Sequence, residues 1–232
     1  MYLAFLLLPA RLVWAAPPSP GTLSAFLAPG ELVLGWSPTP GAGSYVVYRS
    51  LGPGGPYAQL GATFGHGATA FHDRAIVNGT RYYYVTRAVD ADGMEGGSSA
   101  EGSAVGDTVP PGAAISSIRN GQHFSRTGPP AVEGSAVDAA SGVREVRVAV
   151  RRNDTLEWWA GAAWAPATAG LAWLPAETAG SGPSRRWRAD LGRVAWSQGT
   201  AYSFKVRVED RAGFVLEPAA AATLYVDAPA QV

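Results

Sequence analysis

Few side chains in this sequence of 232 residues are suited to covalent or acid–base chemistry. There is no cysteine, which excludes disulfides, thiolate metal sites, a thiol nucleophile and a lipid-modified cysteine. Bases are scarce too: the histidines are His66, His72 and His123. A nucleophile needs a base and a group that orients that base, and none of the three lies in a recognised nucleophile motif. His72 and Asp73 adjoin on a predicted strand, where alternation sends neighbours to opposite faces. His123 falls in the turn NGQHFSR. The expectation is a chain that is not an enzyme and uses no cofactor.

Carboxylates gather near glycine-containing turns: Asp90, Asp92, Asp138, Glu209 and Asp210. Their hard oxygens suit Ca²⁺, but that ion takes about 6–8 oxygen ligands and no DxDxDG loop is present. Aspartates that cap turns account for the same residues, so the expected metal site is none.

Aromatic residues offer binding rather than catalysis. Trp158, Trp159, Trp164, Trp173, Trp187 and Trp196 crowd the second half of the chain. An exposed row of them would stack on sugar rings. Alternatively, Trp159 and Trp164 staple a hairpin and the others fill a core. Trp158 and Trp159 are neighbours on a predicted strand, so at most one faces the core squarely and the other is the better ligand candidate. Tyr48 and Tyr83, with Val46 and Val85, are expected on one outer sheet face. That face is either an apolar contact surface or one covered by the stems of Arg49 and Arg87.

The elements that must position these residues centre on one stretch used twice. Gly79–Gly93 reads GTRYYYVTRAVDADG and Gly199–Gly213 reads GTAYSFKVRVEDRAG. The ungapped alignment matches Tyr82 with Tyr202 and Asp90 with Asp210. A Gly-Thr turn, an aromatic start, period-two alternation and an Asp-to-Gly exit describe a long antiparallel strand between tight turns. In the second copy Tyr202, Phe204, Val206 and Val208 share one face; Ser203, Lys205, Arg207 and Glu209 share the other.

Two copies about 120 residues apart argue for two domains. With 29 Gly, 18 Pro and only 16% charged residues, many short strands joined by turns are expected, and no helical period appears outside the extreme N-terminus. Basic and acidic residues balance at 18 each with no basic stripe, which argues against nucleic acid or anionic lipid as partner. The fold class expected is all-β: two tandem antiparallel β-sandwiches, over 17–107 and 108–232, divided at GDTVPPG. Residues 1–16, with an apolar run from Tyr2 to Leu8 and small residues at Ala15 and Ala16, read as a signal peptide.

From about Pro17 to Asp107 the sequence resembles the fibronectin type III family, through LVLGW at 32–36, SYVVYRS at 44–50 and NGTRYYYVTRAVDADG at 78–93. The resemblance implies that Trp36 fills the core between two sheets. It also implies that Tyr82 is the tyrosine corner, its hydroxyl bonded to upstream backbone. The segment from about Thr108 to Asp227 resembles bacterial immunoglobulin-like domains, through EGSAVDAASGVREVRVAV and AYSFKVRVEDRAGF, which places Tyr202 in the matching structural role. These resemblances imply a non-catalytic binding, adhesion or spacer module of a secreted or cell-surface bacterial protein. Its partner would be protein or polysaccharide, with no nucleic acid and no membrane insertion of the mature chain. The rival expectation is a carbohydrate-binding accessory region of a secreted hydrolase.

Overall fold

The computed structural model describes residues 15–228. The expected signal peptide lies outside them apart from Ala15 and Ala16. By contact density these residues form two compact units. The first holds residues up to 25, 34–71 and 83–103; the second holds 26–33, 72–82 and 104 onward.

The first eight strands are β1 (Ser24–Ala28), β2 (Glu31–Gly35), β3 (Ser44–Ser50), β4 (Ala58–Phe64), β5 (Ala70–Asp73), β6 (Arg81–Val89), β7 (Glu95–Ser98) and β8 (Gly102–Val105). They make one sheet in the order β1-β2-β5 and another in the order β4-β3-β6-β7, with β8 also pairing β6. Strands β3 and β6 show why alternation builds a core. Their antiparallel register sets Tyr45 opposite Ala88 and Val47 opposite Thr86, all fully buried. Buried Thr86 stays satisfied because its hydroxyl donates to the Val46 carbonyl at 3.2 Å. Trp36, just past β2, meets the Tyr45 ring edge-on at 5.5 Å.

Between β7 and β8 the pairing with β6 is interrupted. The cause is Ser99, whose hydroxyl oxygen takes the place of a backbone carbonyl: the Thr86 amide donates to Ser99 Oγ at 3.0 Å, and the Ser99 amide donates to the Thr86 carbonyl at 2.8 Å. A side chain inserted in the ladder ends regular pairing there.

The remaining strands are β9 (Gly112–Ile115), β10 (Gln122–Phe124), β11 (Ala131–Val137), β12 (Val143–Arg152), β13 (Trp158–Trp159), β14 (Trp164–Ala165), β15 (Leu174–Pro175), β16 (Glu177–Ala179), β17 (Ser184–Asp190), β18 (Thr200–Asp210) and β19 (Val215–Val226), with one 3₁₀ turn at Ala167–Ala169. One sheet runs β16-β17-β11-β9; the other runs β10-β19-β18-β12-β13-β14, with β15 also on β12. Inward residues of β18 (Tyr202, Phe204, Val206, Val208) and of β12 (Val146, Val148, Val150) close on Val132, Trp187 and Ala189 from the facing sheet. Trp187 fits because β11 carries Gly134 opposite it, where a Cβ would overlap both the indole and the Ala114 carbonyl oxygen.

Residues 156–165 fold as the hairpin in which Trp159 stands opposite Trp164. Gly161 at φ +91° allows the reversal, and the Ala160 amide donates to the Ala163 carbonyl at 2.9 Å. Strand β19 runs through an alanine-rich middle that carries no period-two signal.

Candidate functional site

Trp158 and Trp159 are both buried, at 5% and 3% exposure. This corrects the expectation that one of the two would be free. Trp159 points into the core, packing edge-on against its hairpin partner Trp164 at 5.2 Å. Trp158, on the opposite face, is roofed by the Arg151 guanidinium at 5.7 Å and the Lys205 ammonium at 5.4 Å. Alternation does send it outward, but long basic side chains on β12 and β18 cover the ring. Trp187 is buried as well, Trp173 is half-buried, and Trp164 and Trp196 make specific contacts. Trp164 Nε1 donates to the Ala195 carbonyl at 3.1 Å, and Trp196 meets Tyr202 edge-on at 4.7 Å.

Tyr48 and Tyr83 lie on one face of β3 and β6, where Tyr48 stands opposite Val85 and Ser50 opposite Tyr83. Both are half-buried. The Arg87 guanidinium lies 4.9 Å from the Tyr48 ring centre, and the Tyr48 hydroxyl donates to the Glu95 carboxylate at 2.8 Å. Burial, and then Glu95, push the Tyr48 phenol upward. The Tyr57 hydroxyl bonds Glu101 in the same way, and burial followed by that bond pushes its phenol up to about 12.

The histidines do not assemble a site. His72 Nδ1 lies 3.0 Å from Glu31, which also pairs with Arg74 at 2.8 Å, and His72 before Arg74 holds the Glu31 carboxyl below its ordinary range. Asp73, on the opposite face, accepts the Ala75 amide. His123 stacks on Tyr225 at 4.9 Å and pairs with Asp227 at 2.7 Å.

The carboxylates divide sharply. Glu209 pairs with Arg144 at 2.9 Å, and Asp92 is exposed. Asp90 and Asp210 end the two copies of the repeat with one geometry. Asp90 Oδ1 accepts the Met94 amide at 2.8 Å, and Asp210 Oδ1 accepts those of Phe214 at 2.9 Å and Gly213 at 2.8 Å. Asp138 Oδ1 caps its own turn, accepting from the amides of Ala140, Ser141 and Gly142 and from the Ser141 hydroxyl. Turn capping thus describes one oxygen of each residue. Asp107, Asp138 and Asp210 are also brought together: all are buried, and one oxygen from each lies within 4.8 Å of the other two. Burial foremost, helped by the charges of Asp107 and Asp138 against two amide donors, raises the Asp210 carboxyl above its usual range. Asp107 was hidden in the sequence because GDTVPPG reads as a linker. The signal available was a third aspartate next to a proline-rich turn, matching no strand.

No family model matches the chain. It is 36% identical over 80 residues, 34% of its length, to an amylopullulanase of Thermoanaerobacterium saccharolyticum. It is 33% identical over 84 residues, 36% of its length, to an amylopullulanase of Thermoanaerobacterium thermosulfurigenes. The chain covers only 6% and 4% of those two proteins. A solved Fn3-like protein from Clostridium thermocellum is 37% identical, covering 41% of this chain and 98% of its own, with a TM-score of 0.37. No helix among the described residues is long and apolar enough to cross a membrane. In the N-terminal part Trp36 is buried against Tyr45, and the hydroxyl of Tyr82 accepts the Val77 amide at 2.9 Å. Motif, strand arrangement and core contacts agree: this all-β chain carries a fibronectin type III domain.

Proposed function

We propose that the chain is a non-catalytic accessory module of an extracellular bacterial protein that acts on or adheres to polysaccharide, and that it works as a stiff spacer. The observation that carries this reading is the match to amylopullulanases. About a third of this chain resembles a segment that makes up 6% or less of each of those proteins, as expected for a module joined to a larger protein. Burial of Trp158, Trp159 and Trp187 favours the spacer over a sugar-binding platform, since stacking on a sugar requires an open ring face. Packed sheets and ring-filled cores supply the rigidity that a spacer needs. Export is part of the proposal and rests on the amylopullulanase likeness together with the apolar run at the N-terminus.

Affinity electrophoresis of the whole chain in gels containing starch, pullulan, xylan or β-glucan tests it. Unretarded migration in every gel is the expected result. Saturable retardation by one polysaccharide would replace the spacer with a carbohydrate-binding accessory region.

A further inference from the structure

Asp107, Asp138 and Asp210 present one carboxylate oxygen each within a span of 4.8 Å. That span is the distance across an ion held by bonds of about 2.3–2.6 Å, the range Ca²⁺ makes to oxygen. The side chains are aimed by backbone that has other work. The Asp107 carbonyl accepts the Gly30 amide at 3.1 Å and its Oδ1 the Val109 amide at 3.2 Å. The Asp138 and Asp210 turns are tied to each other by the Arg211 amide, which donates to the Gly142 carbonyl at 3.0 Å.

A second observation separates this group from an ordinary acidic cluster. Asp107 and Asp210 are 0% exposed, and the Oδ2 atom of each is buried without any hydrogen-bond partner. Buried polar atoms are normally satisfied, and buried charges are paired or bind metals. Among the described residues no Arg, Lys or His forms an ion pair with any of the three. A buried water would satisfy the orphan oxygens without balancing their charge; a divalent cation does both.

We infer that Asp107, Asp138 and Asp210 form a Ca²⁺ site within the second compact unit. All-oxygen ligation selects a hard cation, and irregular turns supply the flexible surround that Ca²⁺ tolerates better than Mg²⁺. The ion draws together the segment that follows β8, the turn after β11 and the end of β18, so ion binding adds to the stability of that unit.

The test uses the full chain, stripped with EGTA and then titrated. Isothermal calorimetry is expected to find one Ca²⁺ per chain with a dissociation constant of about 10⁻⁴–10⁻³ M, the range of extracellular modules. Thermal unfolding is expected to shift upward by about 5 °C or more at a hundredfold excess over that constant. Asp107→Asn should remove the calcium shift while unfolding in EGTA no earlier than the wild type, since it deletes one of three crowded charges. Absence of both binding heat and thermal shift in the wild type overturns the site, whether or not any variant folds. An undiminished shift in Asp107→Asn overturns this ligand set, and equal saturation by Mg²⁺ overturns the assignment to calcium.

Discussion

The hydroxyl of Tyr202 accepts a 2.6 Å hydrogen bond from the amide of Ser197, five residues upstream. Tyr82 and Val77 repeat the relationship at 2.9 Å and the same spacing. Each phenol pins the turn that leads into the repeated long strand, β6 in one case and β18 in the other. Removing the hydroxyl leaves an amide without a partner, and the ring remains to fill the core. Tyr202→Phe and Tyr82→Phe should each lower stability by about 1–3 kcal/mol with the urea m-value unchanged. Urea denaturation followed by Trp emission measures both.

Gly134 and Gly35 lie in strands, but their surroundings differ. A Cβ at Gly134 overlaps the Ala114 carbonyl and the Trp187 indole, whereas one at Gly35 meets nothing within 4 Å. Gly134→Ala should cost about 2 kcal/mol or more, through lost β9–β11 pairing and a displaced Trp187. Gly35→Ala should stay within about 0.5 kcal/mol of the wild type. The pair is read by the same denaturation assay.

The tryptophan arrangement predicts shielding. Acrylamide should quench Trp158 and Trp159 weakly in the native chain and strongly in urea. Trp159→Ala should destabilise by about 3–5 kcal/mol as a core deletion. Strong native quenching that is lost in Trp158→Phe would show an open ring in place of the Arg151 and Lys205 roof.

The Tyr57–Glu101 bond has a pH signature. Because the folded phenol is raised to about 12 from an ordinary 10, the protonated form is the one the fold favours. Its contribution is whole below the ordinary phenol range and is lost as pH climbs through about 12. Glu101, held low chiefly by Tyr57, works in the opposite direction: its contribution is present above the usual carboxylate range and is lost on acidification. Carbon NMR of labelled tyrosine should follow Tyr57 titrating near 12, and Glu101→Gln should bring that midpoint down towards 10. An unchanged midpoint would detach Tyr57 from Glu101.

Much of the fold was legible where a local pattern coincides with its partner's pattern. SYVVYRS and RYYYVTRAV each alternate, and in register their inward residues meet. The repeated Asp-to-Gly exit proved to be one turn geometry used at Asp90 and Asp210. What alternation cannot convey is what lies above a face. Trp158 points outward as its position in the strand requires, yet Arg151 and Lys205 arrive from elsewhere to cover it. The carboxylate triad was illegible for a related reason: its members are far apart in sequence, and Asp107 sits in a segment whose prolines speak only of a turn. Strand β10 carries no period of its own and exists because β19 is beside it.

That parallel pairing, Gln122–Phe124 against Leu224–Val226, joins segments separated by about a hundred residues. During synthesis β10 emerges early and has no partner until β19 has been made, and β18 likewise waits for its second neighbour. The sheet edge therefore stays open for most of the time that the second region spends leaving the ribosome. Contacts of such long sequence separation form slowly, and unpaired edges invite association with other chains. A growing chain of this protein is most exposed to misassembly just before its last long strand arrives.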